Sequence, residues 1–218
     1  MDDEGCFDAL VRIFGHALTT CKKRRRFLET AVEYVVRLQL LFSTCVFAFS
    51  LTGQSPGIPL LNLRKSDGSL YKAHTSNTPA TVVVFVSAAC PMSMEYSQRL
   101  NQLAADYSQR GVQILVVNSN TNESDAEVEK QRQEARISVP VYRDNGNVAD
   151  LLGAIATPTA VVIDKTGMIR YLGMIDNSRN STRVTRRPLR SALDAVLKGR
   201  PVEVPRTKVM GCTIKPGT

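Results

Sequence analysis

The run Val82-Val83-Val84-Phe85-Val86 constrains this chain more than any other feature. It is unbroken, apolar and mostly β-branched, the pattern of a strand buried on both faces of a sheet. It gives way to Ser87-Ala88-Ala89-Cys90-Pro91-Met92-Ser93. Beyond Pro91 the apolar spacing turns helical, with Leu100, Leu103, Ala104 and Tyr107 at i, i+3, i+4 and i+7. Cys90 therefore stands where a buried strand stops and a helix starts. Pro91 suits the first helical position, where a missing N–H costs nothing. A cysteine at such a junction faces unpaired backbone N–H groups and the positive end of the helix dipole, which favour thiolate over thiol. A buried cysteine packed under a turn fits the same residues.

The 218 residues suit one domain with an appendage. The net charge of +8 raises nucleic acid as a partner, but its distribution argues against one. Much of it lies in Lys22–Arg26 and in a late loop with Arg179, Arg183, Arg186, Arg187 and Arg190. Neither cluster is interleaved with aromatics as a stacking platform would be. The first flanks an apolar segment; the second reads as a solvated loop, or as a seat for an anion or acidic partner.

Residues 1–53 read as a leader. Leu38–Leu51 holds fourteen residues without a charge. That is short of the roughly 20 needed to span a bilayer, but it suits the core of a signal peptide or an anchor. Ala48-Phe49-Ser50 is a usable cleavage site, and Arg24-Arg25-Arg26-Phe27-Leu28 resembles a twin-arginine export signal. Basic residues precede the apolar segment, which points the following domain to the periplasm or cell envelope, with membrane association through Leu38–Leu51. The competing reading is an amphipathic helix, Phe27 to Phe49, packed on a cytoplasmic domain.

From residue 54 the punctuation is that of a folded domain. Asp67-Gly68 predicts a hairpin turn between Pro59–Leu63 and Ser69–Tyr71. Val112–Val117 predicts a second buried strand, and Ser124 with Glu127 a capping box opening an exposed helix. Pro140 limits Val139–Tyr142 to an edge strand. A brief helix near Val148–Leu152 stops at Gly153. Lys165-Thr166-Gly167 turns the strand ending at Asp164 back into Met168–Gly173. Pro188 opens a last helix with Leu189, Leu193, Val196 and Leu197 on its apolar face. The order makes an α/β sandwich with a mixed sheet, spanning residues 54–200. A tail, 201–218, carries Cys212.

This order, with Cys90 opening the first helix and Thr157-Pro158 before the third long strand, resembles the thioredoxin fold. More narrowly it resembles the redoxin, or AhpC/TSA-like, family of exported thiol–disulfide oxidoreductases. The resemblance covers Ile58 to Leu197. It rests on Val82–Pro91, Val116–Asn120, Ala156–Thr159, Val162–Tyr171 and Gly173–Asp176 taken together. Gly211-Cys212-Thr213-Ile214 also resembles a Gly-Cys-x-Ile ending of some exported redoxin-like proteins.

The resemblance implies a thioredoxin-like α/β fold in which Cys90 is the thiolate nucleophile of thiol–disulfide exchange. Ser93 fills the place of the second cysteine of the Cys-x-x-Cys motif. Pro158 matches the family's cis-proline, with Thr157 able to pair its backbone with an extended substrate beside Ala89 and Pro91. The implied partners are a protein or small-molecule thiol or disulfide and an electron donor of unknown identity, with no cofactor. Three departures bear on mechanism. Ser93 can donate a hydrogen bond to a thiolate but cannot close a disulfide. Ala89 stands where the family has tryptophan, and Val84 where many members carry a buried acid.

Dithiol exchange needs a second thiol to release the mixed disulfide. If the leader is removed, Cys6, Cys21 and Cys45 go with it, leaving Cys90 and Cys212 with one possible pairing. Cys212 then fits a resolving cysteine, a static structural disulfide, or a free thiol on the tail. Two other functions suit the residues. Ser87 and Cys90 match part of a peroxiredoxin motif, although Val83 replaces its proline and Thr157-Pro158 stands where its arginine is expected, with Arg170 on the surface. A thioredoxin-like peptide-binding module, with Ser93 marking lost catalysis, is the non-enzyme alternative. A copper-delivering thioredoxin relative would need a Cys-x-x-x-Cys pair and a suitable histidine, and neither is present after Cys90, since His16 and His74 both precede it, so no metal is expected.

Overall fold

The computed structural model describes residues 57–144 and 147–215. The leader, with its apolar segment Leu38–Leu51, lies outside the described residues. The strands are β1 (Leu60–Arg64), β2 (Leu70–His74), β3 (Ala80–Phe85), β4 (Gln113–Asn118), β5 (Val141–Arg143), β6 (Ala156–Thr157), β7 (Thr159–Asp164), β8 (Ile169–Gly173) and β9 (Cys212–Thr213). The helices are α1 (Pro91–Glu95), α2 (Ser97–Ser108), α3 (Asp125–Glu134), α4 (Asn147–Leu152) and α5 (Pro188–Leu197).

Seven strands form one sheet in the order β2-β1-β5-β4-β3-β7-β8. The interior β3, β4 and β5 run parallel, while β7 and β1 are antiparallel to their neighbours. Both faces of the sheet are covered, which explains the unbroken apolar run of β3. Val82 and Val84 join Leu100, Leu103 and Tyr107 of α2 with Leu189, Ala192 and Leu193 of α5. Val83 and Phe85 join Val148, Ala149 and Leu152 of α4 on the opposite face. Alternation along a strand sends successive side chains to opposite faces, so a doubly covered strand needs apolar residues at every position.

Local signals account for the element ends. Ser124 and Glu127 form a reciprocal capping box at the start of α3, whose one buried residue is Val128. Gly153 ends α4 at φ +71°, a left-handed conformation that glycine adopts without a Cβ penalty. The helical stretch after Pro91 breaks at Tyr96 (φ −93°, ψ −4°), dividing α1 from α2.

One expectation is corrected. Pro140 does not confine its strand to an edge: β5 lies between β4 and β1. The strand begins after Pro140, so the missing N–H falls outside the ladder. The hairpin then adds beyond it with Arg64 opposite Arg143. The late arginines are largely solvated, with Arg179, Arg183, Arg186 and Arg187 exposed and Arg190 half-buried. Arg190 belongs to α5 and pairs with Asp106 at 2.6 Å, and Arg179 pairs with Glu95 at 2.5 Å.

After α5 the tail turns back over the domain. Leu172 N–H donates to Pro205 O at 3.0 Å and Thr207 N–H to Leu172 O at 3.2 Å, so the tail runs beside β8. It then forms β9, antiparallel to β6 in a small separate sheet. Among the described residues no helix is long and apolar enough to cross a membrane.

Candidate active site

Cys90 is the N-terminal cap of α1, in extended conformation (φ −95°, ψ 110°), and is 0% exposed. Its neighbours Ala89 and Pro91 are exposed and form the rim. Its carbonyl accepts from Ser93 N–H at 2.9 Å, the first hydrogen bond of the helix. The Thr157–Pro158 peptide bond is cis, and the Cys90 thiol donates to the Thr157 carbonyl at 3.5 Å. Directly across β6 from Thr157 stands Cys212. The structure thus brings together Cys90, Ser93, Thr157, Pro158 and Cys212. Both described cysteines are free thiols, Cys90 buried and Cys212 exposed.

The two thiols divide their acidity unequally. Burial pushes the Cys90 thiol up, but hydrogen bonds from the Cys212 thiol, the Ser93 N–H, Thr157 and the Cys212 N–H outweigh it, so its pKa is lowered. Hydrogen bonding to a thiolate favours the charged form. Cys212 shifts the other way: donating a hydrogen bond to Cys90 favours its protonated form and is the main cause that pushes it up to about 11. Burial and the Cys90 charge add to this, and Arg179 opposes it. The shifts run in opposite directions, downward at Cys90 and upward at Cys212.

This division has a measurable consequence. With Cys90→Ala, Cys212 returns from about 11 toward an ordinary thiol value. Lower pKa raises the thiolate fraction but reduces intrinsic nucleophilicity by about half as much on a logarithmic scale, so the net gain is about tenfold. Alkylation of Cys212 at pH 8 is therefore expected to run about tenfold faster in Cys90→Ala than in the parent. An unchanged rate would contradict the pairing of the thiols.

Ser93 is 2% exposed and braces the turn before Cys90. Its hydroxyl accepts from Ser87 N–H at 3.1 Å, fixing the turn, while its backbone N–H serves Cys90.

Glu123 is the residue that sequence inspection missed. It is 7% exposed and lies in the loop between β4 and α3, under the turn that precedes Cys90. Ser87 Oγ donates to it at 2.5 Å, Asn118 Nδ2 at 2.6 Å, Ala88 N–H at 2.8 Å and Ala89 N–H at 3.4 Å. Arg143 donates to its carbonyl at 2.5 Å. A buried carboxylate therefore braces the turn before Cys90, and it comes from the loop after β4, not from β3. The available signal was Asn118-Ser119-Asn120 followed by Glu123, polar residues directly after a buried strand.

The loop after β8 closes the other side. Arg99 stacks 3.6 Å above the Tyr96 ring and donates to Asp176 at 2.7 Å and Ser178 O at 2.8 Å. These bonds fix the loop that carries Arg179, whose positive charge favours ionisation of Cys212. The peroxidase pattern is not assembled in the same way. Ser87 gives its hydroxyl to Glu123, and Arg170 sits on the surface paired with Asp164. Among the described residues no cluster of side chains could hold a metal ion.

No curated protein matches the chain. A hypothetical protein from Sinorhizobium meliloti has 29% identity and a TM-score of 0.65, with 77% of this chain and 97% of that one covered. An uncharacterized conserved protein from Geobacillus kaustophilus has 31% identity and a TM-score of 0.64, covering 73% and 89%. A Chlorobium tepidum protein assigned as the thiol:disulfide interchange protein DsbE shares the fold, at 20% identity and a TM-score of 0.54, covering 65% and 95%. The sequence model of the AhpC/TSA family matches residues 56–172, from the hairpin through the Cys90 turn and the cis-proline to β8. By that match and the thioredoxin-like architecture around Cys90, the chain belongs to the AhpC/TSA family.

Proposed function

We propose that the protein is a thiol–disulfide oxidoreductase in which Cys90 is the nucleophile and Cys212 resolves. The Cys90 thiolate attacks one sulfur of a substrate disulfide, breaking the S–S bond, releasing one substrate thiolate and forming a mixed disulfide. Cys212, deprotonated, then attacks the Cys90 sulfur and releases the second substrate thiol. Two electrons pass to the substrate, and a Cys90–Cys212 disulfide remains for an external dithiol to reduce. The observation that carries this reading is the β6–β9 pairing, which sets Cys212 opposite Thr157, the residue whose carbonyl accepts from the Cys90 thiol. Ser93 holds the turn, Pro158 and Thr157 form the wall across from Cys90, and Ala89 and Pro91 border substrate entry. An apolar leader and a working cysteine pair both suit an oxidising compartment outside the cytoplasm.

The test is reduction of a protein disulfide such as that of insulin, with a dithiol donor, beside consumption of hydrogen peroxide by the same preparation. Turnover well above the dithiol alone is expected. Insulin left unreduced while peroxide is consumed would replace this reading with the peroxidase; neither activity would leave a peptide-binding module.

A further inference from the structure

We propose that Gly211–Lys215 is a gate. It occupies the backbone edge beside Cys90, and an extended, disulfide-bearing segment of a partner protein reaches Cys90 only by displacing it. This rests on Cys90 being the exchanging nucleophile. Cys90 is 0% exposed although Ala89 and Pro91 beside it are open to solvent. The edge of β6, where an incoming strand would pair, is taken by β9.

The occupant is fastened on both sides of Cys212. Beyond it, Ile214 is 5% exposed and joins the core cluster of Phe85, Leu152 and Leu172. Ile214 N–H donates to Ile155 O at 3.0 Å, Lys215 N–H to Asn120 Oδ1 at 2.8 Å, and Thr121 N–H to Lys215 O at 3.0 Å. Before it, Gly211 lies so close to Thr157 that an added Cβ would overlap the Thr157 carbonyl oxygen. Between these points and the anchor at Thr207, Lys208, Val209 and Met210 run without regular structure, Lys208 and Met210 exposed. A two-residue strand held by one buried side chain opens far more readily than the seven-stranded sheet behind it. The same feature fits the chemistry: one edge cannot hold substrate and Cys212 together, so the tail leaves for attack and returns for resolution.

The test measures alkylation of Cys90 by iodoacetamide in a Cys212→Ser background. Rates are read on the high-pH plateau, where a changed pKa does not enter. Adding Ile214→Ala, or separately Gly211→Ala, is expected to raise the plateau rate at least about tenfold. A synthetic peptide of residues 208–215 carrying Cys212→Ser should restore protection to the Ile214→Ala protein. Equal rates with and without the tail substitutions would overturn the gate. So would acceleration that the peptide does not reverse in a protein with a lowered melting temperature, since that is loss of fold. A gated Cys90 that attacks no disulfide even in the open variants would instead sink the exchange reading and leave the gate standing.

Discussion

Cys90→Ser is expected to reduce the rate of disulfide exchange by a factor of about a thousand or more, leaving the fold intact. Removing a nucleophile eliminates the covalent step instead of weakening it, and losses of this order follow in other covalent enzymes. A serine hydroxyl at the same position can still donate to the Thr157 carbonyl, and the helix cap is made by the backbone with no side-chain bond to lose. It would not ionise under the influence that lowers the Cys90 thiol. Cys212→Ser should behave differently: the first attack survives, turnover falls, and the Cys90 mixed disulfide accumulates for lack of the thiol opposite Thr157. Rapid-quench trapping followed by mass measurement separates the two variants. Undiminished exchange in Cys90→Ser would move the nucleophile elsewhere.

The largest effect on stability is expected at Glu123. Its carboxylate accepts from Ser87 Oγ, Asn118 Nδ2 and the Ala88 and Ala89 N–H groups. Glu123→Ala orphans those donors in a site that is nearly closed to solvent. Each unsatisfied buried donor costs about 1–3 kcal/mol, partly relieved by entering water, so a loss of about 3–5 kcal/mol is expected. Against a total of about 5–15 kcal/mol for a domain, that is a large share. Glu123→Gln keeps one acceptor oxygen and should lose about half as much. Urea titration of the two variants measures both, and a loss below about 1 kcal/mol in Glu123→Ala would show that the turn before Cys90 holds without the carboxylate.

What could be read from the sequence was what nearest neighbours decide. Val82–Val86, the Cys90-Pro91 junction and the Ser124–Glu127 box each carry their own local physics, and each sits where that physics puts it, whereas the cis bond at Thr157-Pro158 was implied by the family resemblance. Pro140 misled because its missing N–H matters only inside a ladder, and where the ladder starts depends on β4 and on the hairpin. Glu123 escaped notice because a glutamate in a polar loop looks solvated until the turn after β3, some thirty-five residues away, folds over it. The Ser93 hydroxyl bonds to Ser87, a partner set by the path of the turn. The position of Cys212 required knowing that the tail returns along β8 and pairs with β6, a contact spanning fifty-five residues that no local pattern encodes.

The central claim, that Cys90 and Cys212 work as a pair, meets its most direct test in one turnover. The reduced protein is mixed with a stoichiometric peptide disulfide, quenched with acid, and mapped by non-reducing proteolysis and mass spectrometry. The account predicts release of both substrate thiols together with a single linked species joining the Cys90 and Cys212 peptides. Release of substrate thiols with Cys212 still free would contradict it.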